Sequence, residues 1–272
     1  MKKTVLALIV LVMGVLSACG AEGSNGEKKS IKIGASAGPY TDMVELAIKP
    51  GLEEKGYEVE VVQFNDYIQP NQALGNDELD ANLFQHKIYM ETFAKQSKMD
   101  LSEVITVPTA PMGIYSDKVK SLSEVKEGAT VAIPNDPTNA ARALHILKDG
   151  GLVELNEDVS PLQVSEKDVT ENPKKLTFVP VEAAQLPRAV EDTDLSAVPG
   201  NFALAAKMNL ADAVQLEDMN DVHRNRVVMN TKDADSELAK DIKEVVESEG
   251  FEKAIDKNFQ GFGKPDWMEQ KK

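Results

Sequence analysis

Short apolar runs of strand length, each followed by a polar turn and a stretch of helical periodicity, recur along this chain. That alternation restricts it to an α/β fold with a mainly parallel sheet. The clearest instance is Val131-Ala132-Ile133-Pro134-Asn135-Asp136-Pro137-Thr138-Asn139-Ala140-Ala141-Arg142, running on to Leu147. Val131 to Ile133 is apolar without alternation, as a strand covered on both faces should be. Asp136 is a natural N-cap, and Pro137 fits the first helical position, where its missing N–H costs nothing. Ala140, Ala143, Leu144 and Leu147 then form the i, i+3, i+4, i+7 stripe that packs on a sheet. Arg142 falls nearly opposite that stripe, close to the free backbone N–H groups of the helix start, a corner that suits a carboxylate or other anion. A capped helix with a solvated arginine is the plainer reading of the same residues.

The pattern recurs on both sides of this segment. Ile31 to Ala35 reads as a first strand. Ser36-Ala37-Gly38-Pro39 opens a helix carrying Met43, Leu46 and Ala47 that ends near Pro50-Gly51. Tyr57 to Phe64 is a second strand, and Asn65-Asp66 caps a short helix with Tyr67, Ile68 and Leu74. Leu79 to Phe84 is a third strand, followed by a helix from about Gln85 to Lys98. Val104 to Tyr115 is extended but interrupted by Pro108 and Pro111, which marks a connector in place of a central strand. After the Val131 segment come a strand at Leu176 to Val181, a helix around Ala183 to Val190 containing Pro187, and a strand at Leu195 to Val198. Val222 to Met229 reads as a second connector. Leu238, Ile242, Val245 and Val246 mark an amphipathic helix ended by Gly250; Phe251, Ala254, Ile255 and Phe259 mark another. The tail, with Gly261, Gly263, Pro265 and the lone Trp267, reads as a strap on the first lobe. The chain therefore divides into lobe 1 (31–112), lobe 2 (113–225) and a return to lobe 1 (226–272). Two extended crossings between lobes make a hinge, and ligands bind in such clefts.

The N-terminus addresses location. Met1-Lys2-Lys3 is a short basic region, and Thr4 to Leu16 is an apolar run too short to span a membrane permanently. It ends in Leu16-Ser17-Ala18-Cys19-Gly20, which resembles a bacterial lipobox; an ordinary secretory signal with an incidental cysteine is the alternative. The lipobox implies that residues 1–18 are a signal peptide and that Cys19 carries the lipid. Residues 19–30 then form a flexible tether of Gly, Ser, Asn and charge. With two acyl chains the anchor is stable, placing the domain at the cell membrane facing outside the cytoplasm. Cys19 is the only cysteine, so no disulfide forms within the chain. The formal net charge of -15 argues against nucleic acid, whose phosphates require clustered Lys and Arg.

Enzyme signatures are missing. There is no G-x-x-x-x-G-K-[ST], no G-x-G-x-x-G after a strand and no G-x-S-x-G elbow, so no catalytic residue and no cofactor is expected. His86, His145 and His223 lack the spacing of a zinc site, and no metal is expected. His145, within a helix, reads as a surface residue. The more suggestive group is aromatic. Phe84, His86 and Tyr89 sit at a strand-to-helix junction, His86 and Tyr89 three apart on one helical face, and Tyr67 sits at a similar junction in the same lobe. Such positions edge the crevice of an open α/β sheet, and aromatics with polar tips grip an apolar side chain while offering hydrogen bonds. Arg142 supplies a partner for a carboxylate, while Asn139, Asn201 and Asn225 suit amino or carbonyl groups. Each of these residues taken singly is commoner as core, cap or turn.

Longer segments carry a resemblance. Phe64-Asn65-Asp66-Tyr67-Ile68-Gln69-Pro70-Asn71, Leu79-Asp80-Ala81-Asn82-Leu83-Phe84-Gln85-His86-Lys87, Pro111-Met112-Gly113-Ile114-Tyr115-Ser116, Val131 to Leu144, Glu171-Asn172-Pro173-Lys174 and Glu182 to Ala189 are similar to the MetQ/NlpA family, the methionine-binding lipoproteins of bacterial ABC importers. The resemblance implies a two-lobed periplasmic-binding-protein fold that closes on a small ligand and delivers it to a membrane permease with its ATPase. It also implies ligand contacts at Tyr67, Phe84, His86, Tyr89, Arg142 and Asn225. Two positions depart from the family pattern. Pro199 stands where methionine binders usually carry Asn, two residues before Asn201, and Tyr40 stands where the pattern has His.

The expectation is therefore a lipid-anchored importer component binding L-methionine or a related small amino acid or dipeptide. Arg142 would hold the carboxylate, Tyr67, Phe84, His86 and Tyr89 would enclose the side chain, and asparagines would hold the amino end. A surface lipoprotein engaged in host interaction without transport, and an exported hydrolase, are the alternatives.

Overall fold

The computed structural model describes residues 29–270; the signal peptide, Cys19 and most of the expected tether lie outside the described residues. The first sheet-forming run is β1 (Lys29–Ser36), β2 (Tyr57–Phe64), β3 (Ala81–His86) and β4 (Leu101–Thr106). The second is β5 (Gly113–Tyr115), β6 (Thr130–Pro134), a small antiparallel pair of β7 (Glu154–Leu155) and β8 (Val169–Glu171), then β9 (Thr177–Val181), β10 (Leu195–Val198) and β11 (Gln215–Leu216). The last strand, β12 (Asn225–Asn230), returns to the first sheet. The helices are α1 (Pro39–Met43), α2 (Lys49–Glu54), α3 (Gln69–Gly75), α4 (Lys87–Ser97), α5 (Pro137–Asp149), α6 (Leu186–Asp192), α7 (Gly200–Ala205), α8 (Glu237–Val246), α9 (Glu249–Asn258) and α10 (Asp266–Glu269). No helix among the described residues is long and apolar enough to cross a membrane.

The two five-stranded sheets have the orders β2-β1-β3-β12-β4 and β11-β5-β10-β6-β9. Neither is mainly parallel in its strand pairing, contrary to what the alternation of strands and helices implies; each is parallel at one side and antiparallel at the other, because β12 runs antiparallel to β3 and β4, and β5 runs antiparallel to β10 and β11. Successive side chains of the buried strands feed opposite faces. On β6, Val131 and Ile133 join the core beneath α5 while Ala132 joins the one beneath α6 and α7. On β12, Val227 and Met229 pack towards α8 and α9 while Val228 faces the cluster of Leu74, Leu79 and Met90. A strand buried on both faces has no polar positions, which is why β6 and the middle of β12 show no alternation.

Several sequence expectations shift. The strand at the start begins at Lys29, two residues inside the expected tether. The helix from Pro39 does not end at Pro50-Gly51; a π-helical turn, Val44–Ile48, carries it on to Glu54. The wider turn accommodates Pro50, which lacks the N–H and crowds the preceding turn of an ordinary α-helix. Val222 to Met229 is not a connector, since β12 is an interior strand of the first sheet. Within Val104 to Tyr115, only residues 107–112 cross between sheets, flanked by edge strand β4 and interior strand β5. Gly250 does not end α8; it lies in the first turn of α9, capped by Ser248.

The two crossings, 107–112 and 217–224, run side by side. Val107 N donates to Asn225 O at 2.9 Å, and Glu217 N donates to Met112 O at 3.0 Å. The tail straps over the first: Thr109 and Gly263 exchange backbone hydrogen bonds of 3.0 and 2.9 Å, and the Trp267 indole donates to Thr106 O at 3.0 Å. Across the cleft the lobes meet closely. Gly38, at φ 87°, passes so near α7 that a Cβ there would lie 2.9 Å from Ala205 Cβ.

Gly200 packs as tightly: a Cβ on it would lie 2.4 Å from Pro111 O and 2.7 Å from Ala110 Cβ, both on the first crossing. Gly200→Ala is expected to destabilise the protein by about 1–3 kcal/mol, as overpacking against rigid backbone does. Gly250→Ala, with only Ser248 Oγ nearby at 3.6 Å, is expected to stabilise it by about 0.5 kcal/mol. Chemical denaturation of both variants checks the contrast.

Candidate ligand-binding site

A cavity lies between the sheets, lined from both sides. All eight residues singled out in the sequence, Tyr67, Phe84, His86, Tyr89, Asn139, Arg142, Asn201 and Asn225, border it. Tyr40, Gln85, Thr109, Ala110, Pro199 and Gly200 complete the lining.

The first lobe supplies the aromatic wall. Phe84 and His86 leave the C-terminal end of β3, Tyr89 stands in the first turn of α4, and Tyr67 lies in the turn before α3. The rings of Tyr67, Phe84 and Tyr89 lie 5.8–5.9 Å apart, and Tyr67 also meets Phe202 of α7 at 5.0 Å. Tyr89 Oη donates to Tyr67 O at 2.9 Å, fixing the turn. Behind the wall, buried Asn71, Asn82 and Gln85 bond one another: Asn71 Nδ2 donates to Gln85 Oε1 at 2.8 Å and Gln85 Nε2 to Asn71 Oδ1 at 2.6 Å. Asn82 Nδ2 also donates to Asn71 Oδ1, at 2.9 Å, so three amides lock β3 to α3.

His86 is not on the face of α4 but caps it: Nδ1 accepts the Tyr89 N–H at 3.2 Å. That bond settles the tautomer, because a ring nitrogen that accepts carries no proton. The remaining proton sits on Nε2, which reaches Asn139 Oδ1 in the second lobe at 3.3 Å. Burial, then the charge of Arg142 and the neighbouring His223, holds the His86 pKa well below its usual range.

The second lobe supplies Asn139 and Arg142 from α5. Asp136 caps the helix as expected, accepting Asn139 N at 2.9 Å, and its carboxylate also takes Asn139 Nδ2 at 3.0 Å. Asn225, at the start of β12, donates Nδ2 to Phe84 O at 2.9 Å. A carboxylate and a carbonyl only accept, so these bonds fix both amides with Oδ1 turned the other way. Asn201 Oδ1 accepts Tyr67 Oη at 2.6 Å, a bond between the lobes. Pro199 caps α7 with its carbonyl, which accepts Phe202 N and Ala203 N at 3.0 Å each. Tyr40 Oη accepts Ala110 N at 3.3 Å, and burial pushes its pKa up to about 12. His145 lies outside this group, half-buried, 2.8 Å from Pro161 O.

Arg142 is not solvated. It is 6% exposed and already holds a carboxylate, that of Glu217 on the second crossing. Nε meets Oε1 and Nη2 meets Oε2, each at 2.5 Å, a side-on pair that leaves the Nη1/Nη2 edge for a second carboxylate. Glu217 Oε2 also accepts Met112 N at 3.2 Å, and His223 Nδ1 lies 3.4 Å from Oε1. Burial alone would raise the Glu217 pKa; the Arg142 charge and the bonds from His223 and Arg142 outweigh it and hold the carboxyl well below its usual range. Sequence reasoning missed Glu217 because nothing links it to Arg142 until the crossing folds back.

A two-lobed α/β protein with a cavity between its sheets, lined by residues of both lobes, has the architecture of the substrate-binding proteins. The family model of the NlpA lipoproteins matches residues 31–267, and the chain belongs to that family. It is 36% identical to a D-methionine-binding lipoprotein MetQ of Salmonella typhi over 96% of this chain and 97% of the relative. The MetQ of Escherichia coli K12 is 34% identical over the same shares. Among solved structures, a nutrient-binding protein from Burkholderia cenocepacia bound to methionine superposes with a TM-score of 0.81 at 37% identity, covering 85% of this chain and 97% of the other.

His86 and Glu217 are buried groups whose titration opposes folding in acid. Both have folded pKa values below their unfolded ones, so the unfolded chain binds more protons and stability falls as pH falls. The His86 contribution is full above its unfolded value, about 6.5, and is lost progressively below it; that of Glu217 follows below about 4.5. The melting temperature is expected to fall between pH 7 and pH 5, and His86→Gln to flatten that segment. An unchanged slope in the variant would remove His86 as the cause.

Proposed function

We propose that this protein is the lipid-anchored substrate-binding component of an ABC importer, carrying methionine or a related small amino acid to a membrane permease and its ATPase. The observation that carries the reading is the pairing of opposite chemistries across one cavity between the lobes. The free edge of Arg142 suits an α-carboxylate. The oxygens of Asn139 and Asn225, whose amide nitrogens are committed to Asp136 and Phe84, suit an α-ammonium. Tyr67, Phe84 and Tyr89 offer an apolar, polarizable wall of the kind a thioether side chain packs against. The methionine-binding relatives and the methionine-bound structure support the same ligand class.

We read the lobes as divided at the crossings 107–112 and 217–224, which moves the second expected boundary from 225/226 to before Asn225, with Cys19 as the lipid anchor. A non-enzymatic role fits the chemistry of the lining. The Thr109 hydroxyl donates to Val107 O and accepts Asn225 N, and His86 Nδ1 is occupied by its cap, so the two form no nucleophile and base pair.

Three outcomes test the reading. L-methionine, assayed against D-methionine and methionine-containing dipeptides, should raise the melting temperature, the stabilisation reaching about 2.7 kcal/mol at a hundred times Kd. Removing Arg142 outright would strand the buried Glu217 carboxylate, so the informative substitution is Arg142→Lys, which keeps the charge and loses the fork. It should weaken binding at least about tenfold by calorimetry while the unliganded protein stays folded. Cys19→Ser should move the protein from the membrane to the soluble fraction; retention in the membrane would overturn the anchor.

A further inference from the structure

The cavity lining carries one formal charge, the Arg142 guanidinium, because burial keeps His86 neutral and the tyrosines protonated. Glu217 is not part of that lining. It sits behind Arg142, 5% exposed on its side chain, and meets the guanidinium through both oxygens at 2.5 Å. Its other contacts, Met112 N at 3.2 Å and His223 Nδ1 at 3.4 Å, come from the two crossings. The second carboxylate near the site, Asp136, is engaged by the α5 cap and the Asn139 amide. Glu217 is therefore the buried countercharge of Arg142, built into the hinge.

We propose that Glu217 is a specificity-determining positioning residue: by neutralising Arg142 from behind and aiming its Nη1/Nη2 edge into the cavity, it makes the site select a zwitterion over a net anion of the same shape. The proposal rests on the amino-acid reading above. A buried net charge is costly in a medium of low dielectric. A zwitterion entering beside the neutral Arg142–Glu217 pair adds no net charge, its ammonium meeting the Asn139 and Asn225 oxygens. An anion entering there adds one buried negative charge to a region that already holds the Glu217 and Asp136 carboxylates, with no further cation in the lining to compensate it. With an amide in place of the Glu217 carboxylate the balance reverses, since the anion then neutralises Arg142 and the zwitterion does not.

The test is calorimetric titration of wild-type protein and Glu217→Gln with two probes, L-methionine and its 2-hydroxy acid isostere, which carries a hydroxyl in place of the ammonium. Wild type should prefer methionine by at least about a hundredfold. In Glu217→Gln that ratio should fall at least about tenfold, whatever happens to the absolute affinities. Glu217→Asp, which keeps the charge, should retain the wild-type ratio even if both ligands bind more weakly. Parallel weakening of both probes in Glu217→Gln, with the ratio unchanged, would reduce Glu217 to a structural brace and overturn the proposal alone. If Glu217→Gln does not fold, wild type and Glu217→Asp decide: comparable affinity of either for both probes overturns the proposal. Absence of methionine binding to wild type would overturn the amino-acid reading, and this proposal with it.

Discussion

The side-on pair between Arg142 and Glu217 is the contact on which the site's geometry turns. A guanidinium buried to this depth is costly without a partner, and a partner that took its whole donor edge would leave nothing for a ligand. Pairing through Nε and Nη2 answers both demands, because the planar fork has a second edge. The carboxylate comes from the second crossing and also accepts an N–H from the first, so the charge of Arg142 is tied to the segments that join the two sheets. The arrangement joins a local electrostatic requirement to the crossings between the sheets.

The remaining polar groups follow the same logic of committed donors. Asn139 and Asn225 each spend their amide nitrogens on groups that only accept, Asp136 and the Phe84 carbonyl, and so orient their oxygens without any ligand. His86 has its tautomer fixed by the Tyr89 N–H. Preorganised dipoles of this kind do not have to reorient when a ligand arrives, which removes part of the cost of binding. The amide cluster of Asn71, Asn82 and Gln85 holds the strand that carries Phe84 and His86, so the aromatic wall rests on hydrogen bonds as well as on packing.

The lobes communicate through a few directional contacts. Tyr67 bonds Asn201, His86 reaches Asn139, and Phe202 packs on Tyr67. Each joins a cavity residue of one lobe to a residue of the other. A ligand that touched both sets would favour the arrangement in which the lobes meet, which is the thermodynamic condition for ligand-driven closure. Pro199 enters this scheme as a cap: its carbonyl starts α7 and places Asn201, while its ring contributes no donor.

Local signals carried much of this in the sequence. The Asp136 cap, Pro137 and the stripe through Ala143, Leu144 and Leu147 defined α5, and the alternation of strands and helices defined the class, because caps and periodicity act over one or two turns. The aromatic and asparagine positions were legible as helix and strand ends. Tertiary structure decided what local signals do not encode. Val222 to Met229 became an interior strand because an unalternating apolar run fits a strand covered on both faces as well as a connector. The helix past Pro50 survived through a π turn. Arg142 proved buried and paired, not solvated, because its partner lies 75 residues away on a segment with no motif of its own. The sequence by itself determined which side chains stand at the ends of the strands; only the fold determined which charges meet there, since a charge finds its partner through space and not along the chain.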